Sequence, residues 1–179
     1  MALYDRARLR KFLSQLAIAD GTARFSERVV SILLDCWLDE YRRSNGNSDV
    51  IETRVGAFSY LFDVDRARLI AAWGISSGAI HTPRDKSRMQ GHPLSDGSNY
   101  HRGHAIPHSL GGPTDINLVP QLGALNVGPF RRIEKAAVAS PGGLYFTYWI
   151  YDSHTQRPTF VEQGLLLPNG FLDIERYAN

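Results

Sequence analysis

Three histidines stand close together near the middle of the chain, in a stretch that contains no cysteine. His101, His104 and His108 are spaced at i, i+3 and i+7, which would align zinc ligands on one face of a helix. A helix is unfavourable here, because Gly103 weakens it and Pro107 in its interior would cost about 3 kcal/mol. The spacing alone therefore does not predict a structural zinc site.

The same residues fit a short strand from Arg102 to Ile106 better than a helix. Side chains alternate between the two faces of a strand, so Arg102 and His104 would project from the same face. A guanidinium group neutralises phosphate oxygens, and a neutral imidazole can take a proton from water. The pair therefore predicts the cleavage of a phosphate ester rather than a purely structural role.

Oxygen ligands for a metal ion could come from Asn126 and Glu134. The sequence predicts a helix from about Pro129 to Ala137, because proline suits the first turn of a helix. Asn126 and Glu134 can approach each other across the start of that helix. Magnesium takes few oxygen ligands from protein and several from water, so Asn126 could bind it directly and Glu134 through water. Equally, Asn126 could cap the helix and Glu134 could be a surface charge near the positive helix end.

The order of these residues resembles the DNA/RNA non-specific endonucleases of the ββα-metal, or His-Me finger, superfamily. Three segments carry the resemblance: Arg102-Gly103-His104, Asn117-Leu118-Val119-Pro120-Gln121, and Asn126-Val127-Gly128-Pro129-Phe130 followed by Glu134. The Gly-Pro-aromatic-Arg variant and the loop Ser109-Leu110-Gly111-Gly112 are most similar to the streptococcal-type branch. The family often has an acidic residue where this chain has His101, which leaves open which group orients the neighbouring side chains.

This resemblance implies a phosphodiesterase that depends on Mg²⁺ or Mn²⁺ and cleaves DNA with little sequence preference, with RNA as a further substrate. His104 would be the general base, and Arg102 would neutralise the phosphate group. Asn126 would be the metal ligand, and Glu134 would hold the water shell of the metal ion. Within the nucleic-acid-binding part of the site, Asn117 and Gln121 would be supporting residues.

Further positive charges could contact phosphate groups or could simply be solvated: Arg84, Lys86, Arg88, Arg131 and Arg132. The formal net charge is only +2, so an extended surface that wraps DNA is not expected. Contacts to phosphate groups carry no sequence information directly, which predicts largely non-specific cleavage. His81 and His92 belong to no recognisable pattern and are expected to be surface residues.

The remainder of the chain predicts an α+β fold with two regions, residues 1–75 and 76–179. Apolar residues at helical spacing predict four helices in the first region, at about 1–20, 26–43, 49–61 and 63–73, which form a helical N-terminal layer. The second region is predicted to be a small antiparallel sheet that carries the ββα-metal nuclease element. Its strands are expected at 144–151 and 159–167, followed by a partial helix that includes Phe171, Leu172 and Ile174.

The sequence excludes a disulfide-built secreted fold, because Cys36 is the only cysteine. Neither a signal peptide nor a membrane span is expected, which predicts a cytoplasmic protein or delivery by another route. The biological role is open between a toxin domain, with an immunity or inhibitor protein as its partner, and a phage or housekeeping nuclease. The alternative function is a module that binds nucleic acid or protein without cutting, which the modest charge and His101 leave open.

Overall fold

The computed structural model describes residues 11, 12, 15, 21–81, 83, 97–152 and 154–179. Its central layer is an antiparallel sheet. The described strands are β1 Val50–Val55, β2 Phe58–Asp63, β3 Arg68–Ile75, β4 Tyr100–His104, β5 Leu118–Leu122, β6 Leu144–Ile150, β7 Phe160–Leu166 and β8 Leu172–Ala178. Six strands form the main sheet, the six-stranded sheet, in the order β1-β2-β3-β6-β7-β8. Strand β4 pairs with β5 in a second sheet. The described helices are α1 Gly21–Asn45, α2 Gly123–Val127 and α3 Phe130–Val138, so the fold is α+β.

Helices pack on both faces of the six-stranded sheet, and strand β6 is buried along its whole length. Successive side chains of a strand point to opposite faces. On one face, Tyr148 stacks on Trp37 of α1 with ring centroids 5.8 Å apart. On the other face, Trp149 lies against Phe130 of α3 with ring centroids 6.1 Å apart. The unit formed by β4, β5, α2 and α3 therefore packs on the face opposite α1.

This unit is inserted between β3 and β6, which are neighbours in the six-stranded sheet. Gln163 of β7 ties the start of α3 to the sheet, since its Nε2 donates to the backbone oxygen of Phe130 and to the hydroxyl of Tyr145, both at 2.9 Å. Burial raises the pKa of Tyr145 well above its ordinary value, and the nearby Glu134 carboxylate raises this pKa further. The hydroxyl therefore stays neutral, and the contact that positions α3 does not change with physiological pH.

The helices predicted for residues 49–61 and 63–73 are wrong, because these residues form β1, β2 and β3. Gly56 has a φ angle of 62° and begins a two-residue turn that places Val55 opposite Phe58. Such hairpin turns favour glycine at their first central position. The β-branched and aromatic residues on both sides then pair across the hairpin, which outweighs their partial helical spacing.

The partial helix predicted in the tail is also wrong, because residues 172–178 form β8 against β7. Gly170 has a φ angle of 85° and forms the turn that reverses the chain. Leu172 and Ile174 are buried and Asp173 between them is half-buried, which is the alternation of a strand.

Other elements agree with the sequence predictions. Helix α1 confirms the helix predicted at 26–43, and β6 and β7 confirm the strands predicted at 144–151 and 159–167. The predicted helix at 1–20 lies largely outside the described residues. Strands from both sides of residue 75 share one sheet, and the division of the chain at that point stays a prediction. In the described part of the chain, no helix is both long and apolar enough to span a membrane.

A buried polar cluster joins the end of α1 to the turn that follows β2. The carboxylate of Asp63 is fully buried and accepts hydrogen bonds from the hydroxyls of Tyr41 and Ser48. Arg66 forms an ion pair with it at 3.0 Å. Burial alone would raise the pKa of Asp63, but the hydrogen bonds from Ser48, Tyr41 and Arg66 outweigh burial and hold this pKa below its ordinary value.

We expect Asp63→Asn to lower the free energy of unfolding at neutral pH by about 3 kcal/mol, because it removes one partner of a buried charged cluster. Since the pKa of Asp63 is lower in the folded than in the unfolded state, this stabilisation is present above the unfolded pKa. It is lost as pH falls through the folded pKa. Urea unfolding at several pH values will measure both effects, with the exposed Asp152→Asn as control. Equal stability of Asp63→Asn and wild type at pH 7 would contradict this assignment.

Candidate active site

A cavity of about 500 Å³ opens beside β4, and residues from β4, α2 and α3 line it. All four residues predicted to take part in the chemistry lie in this lining: Arg102, His104, Asn126 and Glu134. Arg131, predicted to contact nucleic acid, lines it as well. The structure therefore brings together residues that come from three different elements of secondary structure.

Strand β4 contributes Arg102 and His104, which are two residues apart and so share one face of the strand, and the neighbouring His101 lines the cavity as well. Gly103 between them is buried against the side chain of Gln121 on β5, and a Cβ atom at Gly103 would collide with the Gln121 amide. Glycine is therefore needed for the close approach of β5. The strand lies two residues earlier than predicted, at Tyr100–His104 rather than Arg102–Ile106.

Asn117 fixes the turn that follows His104. Its Oδ1 accepts a hydrogen bond from the backbone N–H of Ile106 at 2.7 Å. Its Nδ2 donates to the backbone oxygens of Ile106 and Pro113, both at 2.8 Å. Asn117 and Gln121 are both fully buried, so neither side chain presents a surface to a nucleic acid. Their role as supporting residues stays a prediction.

Asn126 lies within the short helix α2, which the sequence did not predict. Its Nδ2 is 3.3 Å from Nδ1 of His101. An amide nitrogen can only donate, so Nδ1 accepts in this contact, and the other polar atom of the side chain, the carbonyl oxygen, is the one that could bind a metal ion. The ring of His101 lies over the start of α2, where a Cβ atom on Gly123 would be 2.8 Å from Nε2. His101 therefore contacts the amide of Asn126. In the family that this stretch resembles, the position of His101 is often acidic.

The capping alternative for Asn126 does not hold in the structure. Helix α3 begins at Phe130, in agreement with the helix predicted from about residue 129. Its N-cap residue is Pro129, and no side chain makes a capping hydrogen bond there. Asn126 is therefore not committed to capping α3.

Asn126 and Glu134 fit a hard divalent cation, since both line the cavity and both carry oxygen ligands. Glu134 is half-buried on α3, while Phe130 and Ile133 of the same helix face the core. Among the described residues, no group of three or more His, Cys, Asp or Glu side chains is arranged to hold a metal ion. A metal site here would therefore have few protein ligands and several water ligands, as magnesium prefers.

Arg131 and Arg132 are consecutive on α3 and point in different directions. Arg131 lines the cavity, whereas Arg132 forms ion pairs with Asp173 at 2.5 Å and with Glu175 at 3.4 Å on β8. The hydrogen bonds that Arg132 donates to the Asp173 carboxylate raise the pKa of Arg132. The charge of Arg132 is therefore balanced by β8, away from the cavity. The other predicted phosphate contacts, and one predicted surface histidine, lie outside the described residues: Arg84, Lys86, Arg88 and His92.

Sequence reasoning did not assign to the site three further polar residues that line the cavity: His81, His108 and Ser109. His81 is exposed, as predicted, but it belongs to the cavity wall. The backbone N–H of Ile80 donates to the backbone oxygen of Ser109 at 2.7 Å and brings the two segments together. No local pattern signals this contact, because the residues that make it are far apart in the sequence.

The side chain of Asn179 connects β5 to the turn between β6 and β7. Its Oδ1 accepts from the backbone N–H of Leu122 at 2.8 Å, next to the start of α2. Its Nδ2 donates to the backbone oxygens of Pro120 and Pro158, both at 2.9 Å. Asn179 therefore holds the strand that leads directly into the helix of Asn126.

We expect Asn179→Ala to reduce the phosphate-ester cleavage predicted for this site by up to about 10²-fold, because small misplacements of reacting groups are this costly. The variant should remain folded, since the six-stranded sheet keeps its own pairing. Steady-state cleavage rates and thermal unfolding will separate the two effects. Asn169→Ala, at an exposed asparagine in the turn before β8, is the matched control and should keep its activity. Full activity of Asn179→Ala would show that this contact does not position the site.

The chain is similar in structure to solved proteins, although its sequence matches no family model and no curated protein. Among solved structures, an extracellular endonuclease is similar at a TM-score of 0.39 and 16% sequence identity, over 73% of this chain and 70% of that chain.

Proposed function

We propose that the chain is a divalent-metal-dependent endonuclease that hydrolyses the phosphodiester bonds of DNA with little sequence preference. One observation carries the proposal: Arg102, His104, Asn126 and Glu134 line the same cavity. Metal-assisted phosphodiester hydrolysis requires a base, a positively charged side chain that neutralises the phosphate, and oxygen ligands for the metal ion, of which this cavity has two. The order of β4, β5 and the helices after them fits the ββα-metal element that the sequence resemblance implies.

In the proposed mechanism, His104 is the general base that takes a proton from the attacking water. Arg102 projects from the same face of β4 and neutralises the oxygens of the scissile phosphate. Asn126 would hold Mg²⁺ or Mn²⁺ through its carbonyl oxygen, and Glu134 would bind through water. When bound, the cation supplies Lewis-acid stabilisation of the charge that develops on the phosphate and on the leaving 3′ oxygen. The products would then carry 5′-phosphates.

The lack of sequence preference follows from the type of contacts that the cavity offers. Arg102 and Arg131 suit phosphate groups, which position a nucleic acid without reporting its sequence. RNA is included as a second substrate, because phosphate contacts do not distinguish it from DNA. A toxin domain that an immunity protein blocks is one biological role that fits this activity.

We expect purified protein to digest unrelated DNA duplexes of equal length to the same distribution of products when Mg²⁺ or Mn²⁺ is present. Mapping the fragment ends should show no shared sequence, and a parallel digest of RNA will test the second substrate. Discrete fragments with a common end sequence would contradict the non-specific proposal. Binding of DNA without cleavage under any divalent metal would instead favour the non-catalytic binding module.

A further inference from the structure

One wall of the cavity has no role in the proposed reaction. It consists of His81, His108 and Ser109, which we call the histidine wall. His81 and Ser109 are exposed, and His108 is half-buried.

The fold holds the histidine wall in a defined shape. Ile80, directly before His81, donates its backbone N–H to the backbone oxygen of Ser109 at 2.7 Å. Gly111 closes the short helix at residues 108–110 in the left-handed conformation, with a φ angle of 91°. A Cβ atom on Gly111 would be 2.8 Å from Cδ1 of Ile80. The two segments therefore pack directly on each other, which places His81 beside His108 and Ser109.

The charge of the cavity lining favours an anion in this cavity. Glu134 is the only carboxylate among the described residues that line the cavity, whereas Arg102 and Arg131 are both cationic. Glu134 lies on α3 and is assigned to the metal ion. Imidazole N–H groups and a serine hydroxyl are donors for phosphate oxygens. The wall therefore offers hydrogen-bond donors to a negatively charged group.

The wall lies directly beside the proposed general base. The rings of His104 and His108 are 6.4 Å apart between centroids, with their planes at 87°. The charges of one DNA strand repeat about every 3.4 Å along the helix axis. A phosphate attacked at His104 thus brings its neighbour in the strand within reach of the wall, in a cavity of about 500 Å³.

From this geometry we propose that the histidine wall binds the phosphate group next to the scissile one. The site then takes polynucleotide strands in preference to isolated phosphodiesters. This inference depends on the proposed endonuclease function and adds a substrate contact to it. His81 and Ser109 contribute to binding and not to the chemical step.

The test uses the double variant His81→Ala, Ser109→Ala, whose two positions are exposed and can change without loss of core packing. We expect the KM of this variant for duplex DNA to rise about tenfold, because a hydrogen bond to a charged group is lost. Its kcat should stay within about twofold of the wild-type value. Hydrolysis of bis(p-nitrophenyl) phosphate, which has one phosphodiester, should stay at the wild-type rate. His154→Ala, at an exposed histidine in the turn between β6 and β7, is the matched control.

Fluorescence anisotropy with a short labelled duplex in EDTA gives a second readout that requires no cleavage. Weaker binding by the double variant than by wild type and His154→Ala would support the inference. Unchanged KM and affinity, or a fall in kcat at constant KM, would overturn it. Wild-type protein that binds DNA but never cleaves it would reject the proposed function, while anisotropy would still decide whether the wall binds phosphate. Wild-type protein that neither binds nor cleaves DNA would reject both.

Discussion

Replacing His104 with alanine is expected to slow DNA cleavage by about 10²–10⁴-fold, the usual contribution of a positioned general base. His104 is half-buried and lines the cavity, so its removal should leave the core intact. Initial rates on plasmid DNA at saturating Mg²⁺ will measure the loss, and circular dichroism will confirm that the variant is folded.

The neighbouring histidine provides the control for this assignment. His101 lines the same cavity but contacts the amide of Asn126 at 3.3 Å, so His101→Ala should act through the proposed metal ligand. Added Mn²⁺ should therefore restore part of the activity of His101→Ala and none of that of His104→Ala. Wild-type rates for His104→Ala together with complete inactivity of His101→Ala would show that the base was assigned to the wrong residue.

Replacing Asn126 with alanine is expected to remove the proposed direct metal contact and most of the activity with it, because the remaining ligands would be mainly water. Glu134→Ala should cost less, about 10–100-fold, the range for groups that act on a metal through its water shell. EDTA should abolish the activity of the wild-type protein. Calorimetric titration with Mn²⁺ in the absence of DNA will measure the affinities directly.

Asn126→Asp gives a sharper comparison than alanine alone. It keeps an oxygen ligand and adds a negative charge, but it loses the amide N–H that donates to His101. Metal affinity should therefore be retained in Asn126→Asp and lost in Asn126→Ala. Unchanged Mn²⁺ affinity in Asn126→Ala would remove Asn126 from the metal site.

Local patterns were enough to predict several elements that carry the site. Alternation across Arg102, Gly103 and His104 predicted a strand, and Pro129 predicted the start of a helix that the structure places at Phe130. The aromatic run of β6 predicted a strand that is buried throughout. These predictions succeed because each depends on contacts within one strand or one turn of helix.

Predictions failed where helix and strand patterns competed. Residues 50–75 contain apolar residues at spacings that suit a helix, but they form three strands of the main sheet. The choice depends on partners such as Tyr148 of β6, which lies opposite Ala71 of β3. Propensity is a weak guide when such distant pairing determines the structure.

The sequence alone determined the candidate chemistry, namely a base and a guanidinium from one strand, an amide and a carboxylate from the next helices, and phosphate as their common target. Only the tertiary structure decided which surrounding groups belong to the site. It paired Arg132 with β8, turned the amide of Asn126 towards His101 and brought His81 beside Ser109. These contacts join segments that are distant in the chain, and local periodicity reports which face of an element is buried but not which element covers it.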